Sequence, residues 1–152
     1  MARKKKSLSQ KVEEAQRLVA WFDEGVERYR EVEHDPVIRD GTLLRLKLAF
    51  NTTIEVLEEY LEPVMVKDWL PPFELQEVIR MAEEEGLVTQ KWRFWKDLWK
   101  TCAESVFYQH DNDVTLNDLF NIEEVSWEMR LVIETIKDHV TNNKLGNYTA
   151  KP

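Results

Sequence analysis

The side chains best suited to proton transfer, nucleophilic attack or metal binding are His34, His110, His139 and Cys102. The histidines are far apart in the chain. His34 and His110 sit in breaks of the apolar pattern and His139 lies near a helix end. They read as surface or capping residues, and a shared metal site would need them to converge in space. His110, Asp111 and Asp113 lack the full spacing of a calcium loop, so a solvated turn is the expectation there. Cys102 falls on an apolar stripe with no histidine near it in sequence, which predicts a buried structural thiol. There is no glycine-rich phosphate loop, no Gly-x-Ser-x-Gly elbow and no His-Glu-x-x-His helix. The chain also lacks the Gly-Ser followed by Asp-x-Asp that holds magnesium and a nucleoside triphosphate. The pattern therefore calls for no metal, no cofactor and no catalysis by this chain alone.

The other chemistry-bearing stretch is aromatic: Trp92, Phe94, Trp95, Trp99, Phe107 and Tyr108. As core, Trp95 and Trp99 supply large buried area. As a binding face, Trp92 and Trp99 belong to an arc too wide for one side of a helix to hide, which points to an interface with a partner or a second subunit.

The elements that must position these residues read as helices. Val12, Ala15, Val19, Phe22, Val26 and Tyr29 recur at three- and four-residue steps and predict a helix from Leu8 to Glu33. Ser7 and Gln10 form a capping box at its start, and Gly25 inside it should cost about 1 kcal/mol relative to alanine. A second helix is expected over Ile38 to Leu61, with Leu43, Leu46, Phe50, Ile54, Leu57 and Leu61 as its stripe and Pro63 as its end. Leu44 and Leu48 widen that stripe and suggest burial on more than one side. A third, shorter helix opens at Pro71-Pro72 and stops at Gly86. A fourth spans Thr89 to Tyr108. The last runs from Asn121, capped with Glu124, to Val140, with Ile122, Val125, Met129, Val132 and Ile136 as its seam. Sustained period-two alternation is missing. The fold class is all-α, an up-and-down antiparallel helical bundle of four to five helices. It comprises a basic arm (1–7), a bundle domain (8–140) and a flexible tail (141–152).

Composition agrees. The chain has 152 residues, 43% hydrophobic and 33% charged, which suits one domain with its own core. The single cysteine cannot form an internal disulfide, so a reducing, cytoplasmic location is expected. No apolar run approaches a membrane span or a secretory signal. Net charge is −8, and Arg3, Lys4, Lys5 and Lys6 contribute +4, which leaves −12 on the rest. So acidic a body repels phosphate backbones, and a nucleic-acid role would have to use the arm or a local patch.

Against this background, the segment from Arg39 to Leu61 resembles the second helix of the nucleotidyltransferase substrate-binding proteins, a family within the HEPN superfamily. Arg39, Asp40, Arg45, Phe50, Leu57, Tyr60 and Leu61 match in register. Leu46 and Leu48 stand where phenylalanines are usual, and Asn51 where glutamate is frequent. Pro72-Phe73 through Gly86-Leu87-Val88, and Trp95-x-Asp97-Leu98, are similar to the next two units. The resemblance covers roughly residues 10–140.

That resemblance implies a bundle similar to the helical C-terminal domain of aminoglycoside nucleotidyltransferases. It implies a non-catalytic substrate-binding or partner subunit beside a small nucleotidyltransferase chain, commonly a homodimer. Arg39, Asp40 and Arg45 would form its polar constellation, or else an internal Arg–Asp pair that fixes the helix start. Active ribonucleases of the superfamily carry Arg-x4–6-His, and the register puts Cys102 and Phe107 at those places. Nine residues lie between Lys100 and His110, too many for the motif. An atypical ribonuclease site using Lys100 and His110 is one alternative. A protein–protein interaction adaptor is the other.

Overall fold

The computed structural model describes residues 6–32, 35–65, 74–105 and 111–142. Its helices, in chain order, are α1 (Leu8–Glu31), α2 (Pro36–Met65), α3 (Leu75–Glu84), α4 (Trp92–Glu104), α5 (Leu116–Leu119) and α6 (Ile122–Thr141). No strand occurs among the described residues, and the chain is an all-α bundle.

Contacts between named residues fix the directions. Lys11 pairs with Glu59 at 2.7 Å, and Arg45 bonds the Trp21 carbonyl at 2.9 Å. A Cβ on Gly25 would meet Thr42. Low numbers on α1 therefore face high numbers on α2, so the two are antiparallel. Arg30 to Glu123 and Asp23 to Arg130 make α6 antiparallel to α1 in the same way. Tyr60 and His139 join the ends of α2 and α6. Phe50 against Trp95, with ring centroids 6.3 Å apart, seats α4 on the middle of α2.

The apolar stripes expected on α1 and α6 form the core with the inward faces of α2, α3 and α4. Val12, Ala15, Val19, Phe22, Val26 and Tyr29 are all buried. The Ser7–Gln10 capping box is formed in both directions. Gly86 takes φ +72° after α3, a conformation that glycine enters without steric cost. Gly25 is explained by proximity: an ideal Cβ there would lie 2.9 Å from Thr42 Oγ1. Its propensity cost is the condition for the close approach of α1 and α2.

Several boundaries differ from the pattern, each for a physical reason. Helix α2 begins at Pro36, because proline suits a first helical position and Asp35 Oδ1 accepts from the Val37 and Ile38 amides at 2.8 and 3.3 Å. It also continues past Pro63 to Met65, which is fully buried; proline removes one donor, and the burial of Met65 carries the last turn. Helix α4 begins at Trp92, not Thr89, because the Thr89 amide and hydroxyl are both bonded to Glu128. The one-turn α5 has its own capping box, Thr115 with Asp118. The Glu33 end of the first helix, the Pro71-Pro72 start of the third and the stretch 106–110 lie outside the described residues.

One expectation is overturned. Leu44 and Leu48 do not bury a second side of α2. They are 59% and 42% exposed, because α1 and α4 pack on the two flanks of that face and no described helix covers it.

Candidate functional site

The polar constellation at the start of α2 divides. Arg39 is only 1% exposed. Its Nε and Nη2 donate to Asp40 Oδ1 at 3.0 and 2.9 Å. Its Nη1 donates to the carbonyl oxygens of Asp111 and, at 2.9 Å, Val114. The guanidinium thus straps the first turn of α2 to the connection ahead of α5. Burial leaves no open side for a ligand, and the Arg39–Asp40 pair is internal.

Arg45 lies on a different edge. Two turns further along α2, it extends toward α1, donates to the Trp21 carbonyl and places its guanidinium carbon 5.1 Å from the Trp21 ring centroid. This cation–π contact, together with Glu24 at 4.0 Å, ties the two helices. Arg39 and Asp40 meet in space, and Arg45 does not join them.

The aromatic helix α4 also splits. Trp95 is wholly buried, edge-on to Phe94 at 5.6 Å and beside Phe50. Its Nε1 has no hydrogen-bond partner among the described residues. Trp92 is half-buried and packs on the core. Trp99 is 52% exposed. Lys100 is exposed on the next position, while His110 and Phe107 lie outside the described residues. No family model, curated protein or solved structure matches the chain.

Cys102 sits on the buried edge of α4. Burial raises its thiol from 9.0 to about 12, against the opposing pull of the Lys47 ammonium. The thiol is protonated and shielded at neutral pH. In the native state at pH 8 it should react with a thiol reagent far more slowly than in denaturant. Because the folded value exceeds the unfolded one, its stabilising contribution is complete below pH 9 and lost as pH rises toward 12. A native reaction rate equal to the denatured rate would contradict this burial.

Among the described residues no group of three or more His, Cys, Asp or Glu side chains is placed to hold a metal. His139 shares a 2.5 Å hydrogen bond with Tyr60 and joins α6 to α2, so it is more than a surface residue. Asp111 Oδ1 accepts from the Asp113 amide at 3.0 Å in an exposed turn.

Two features escaped the sequence reading. Glu128 is a fully buried carboxylate. Its signal was its spacing: it lies three residues after Val125 and four before Val132, on the seam of α6. The second is a set of lysines around α4 that have no ion pair among the described residues, which only the positions of the acidic residues could single out.

Proposed function

We propose that this chain is a non-catalytic helical partner subunit of a small nucleotidyltransferase, working as a homodimer. Its second helix supports this, with the Arg39-Asp40 opening and the Leu57, Tyr60 and Leu61 close in register with the substrate-binding family. The observation that carries the non-catalytic part is Cys102. At the position where ribonucleases of the superfamily hold an arginine, this chain has a buried, protonated thiol. A neutral sulfur cannot supply the positive charge that stabilises a phosphorane-like transition state.

The test is co-expression with a small nucleotidyltransferase that carries Gly-Ser and Asp-x-Asp and is encoded beside this chain. Size exclusion with light scattering should show one peak holding both chains, with this chain present as a dimer. Separate elution of the two would remove the reading. Specific RNA cleavage by the purified chain would replace it with the ribonuclease alternative.

A further inference from the structure

We infer that the outer face formed by α4 and the adjoining edge of α2 is a docking surface for an acidic amphipathic helix of a partner chain. The inference rests on the proposed partner role and names the chemistry of the contact.

The first observation is apolar. Leu44, Leu48 and Trp99 are large side chains that remain exposed. On α4, Phe94, Leu98 and Thr101 line a small pocket with α5 and α6, so that edge turns toward those helices. Trp95 turns toward Phe50 on α2, and Cys102 lies within the electrostatic reach of Lys47. Trp99 stands on the flank of α4 opposite Phe94, next to Trp95 and Cys102 in the helical array, and so emerges on the α2 side. On α2, Lys47 marks the edge toward α4; Leu44, one turn before it, lies next to it on the exposed side, and Leu48 continues the exposed row one turn beyond Leu44. The result is an apolar strip between two helices.

The second observation is charge. Arg28, Arg30, Arg39, Arg45, Arg80, Arg130, Lys6, Lys11 and Lys91 each have an acidic partner within 4.0 Å. Among the described residues, the cations without such a pair are Arg17, Lys47, Arg93, Lys96, Lys100 and Lys137. All of these but Arg17 and Lys137 lie on α4 or on the α2 edge beside it. Lys96, Trp99 and Lys100 share one outward face at i, i+3 and i+4 spacing. In a chain with 29 acidic and 21 basic residues, unpaired cations gathered around exposed leucine and tryptophan mark out one kind of occupant. It is a helix with an apolar stripe to cover Leu44, Leu48 and Trp99, and glutamate or aspartate on its flanks to meet the cations. A second copy that meets this face with its own equivalent face brings the same positive charge to it. A nucleic acid gains nothing from the leucines and meets an acidic body elsewhere.

The probe is a synthetic peptide with leucine at heptad a and d positions and glutamate at most others, titrated into the ¹⁵N-labelled full chain. Amide shifts should concentrate on α2 around 44–48 and on α4. Leu48→Glu and the double variant K96E/K100E should each weaken binding by at least about tenfold while far-UV circular dichroism is unchanged. Trp127→Ala, on α6, should leave the affinity as it was. Affinity should fall with salt. No binding up to about 1 mM, equal binding by the variants, or shifts confined to another face each overturn the inference. So does tight binding of a single-stranded RNA oligonucleotide at these residues. A wild-type dimer that Leu48→Glu turns into a monomer would make the occupant a second copy and also overturn it. A nucleotidyltransferase complex that survives K96E/K100E and Leu48→Glu would sink this surface and leave the proposed function standing. Peptide binding here without any nucleotidyltransferase complex would do the reverse.

Discussion

Arg39→Ala should unfold about 3–5 kcal/mol more easily than the wild type in urea, the cost of breaking a buried ion pair from one side. Arg39 is 1% exposed and holds Asp40 together with the carbonyls of Asp111 and Val114. Truncation strands two carbonyl oxygens and a half-buried carboxylate, and a stranded polar group keeps its full desolvation penalty. Arg39→Lys should recover little of the loss. An ammonium is a point donor and cannot span Asp40 and two carbonyls at once, whereas the planar fork of arginine can. Hydrogen exchange should quicken first in the turn 111–115 and the first turn of α2, the two segments the guanidinium joins. A loss below about 1 kcal/mol would mean that the strap contributes no more than an exposed pair does.

The same residue shows how far sequence carries this protein. The apolar steps of α1 and α6 are regular because each helix has one buried face, and periodicity reports a single face well. On α2 the inference failed in one respect. Leu44 and Leu48 extend the stripe, and apolar width was read as burial, yet those leucines are exposed. Hydrophobicity records which surface is suited to burial and not whether this chain supplies the cover. The Arg39-Asp40 dipeptide stood out in the sequence. The carbonyls of Asp111 and Val114 did not, because backbone acceptors leave no mark in a sequence and lie more than seventy residues away. The family resemblance made Arg45 a third member of that cluster. Its long side chain goes instead to α1, where Trp21 provides a carbonyl and a ring. The unpaired lysines of α4 were equally hidden, since an ion pair is a fact about two elements.

The second large effect belongs to Glu128. Glu128→Ala should destabilise the fold by about 2–4 kcal/mol, because one partner of a buried, charge-assisted hydrogen-bond pair is removed. The carboxylate is wholly buried. Oε1 accepts from the Thr89 amide at 2.7 Å and Oε2 from the Thr89 hydroxyl at 2.5 Å. These bonds hold the connection 87–91 out of helical conformation, so that α4 starts at Trp92 and brings Trp95 onto Phe50. Glu128→Gln keeps the volume, and with its oxygen toward the Thr89 amide its NH2 can donate to the Thr89 hydroxyl; it gives up the charge assistance of the carboxylate and should lose about half as much. Thr89→Val removes the hydroxyl and keeps the amide, and should lose less than Glu128→Ala. The double variant E128A/T89V should cost less than the sum of the single ones, since the two residues satisfy each other. The connection also sets where the outer face of α4 stands relative to α2. Glu128→Ala should therefore weaken binding of the acidic peptide under conditions where the chain is still folded, although Glu128 is a buried residue of α6 and not one the peptide touches. Full stability in Glu128→Ala would assign the position of α4 to apolar packing alone. Unaltered peptide binding in the folded variant would mean that the connection does not orient that face.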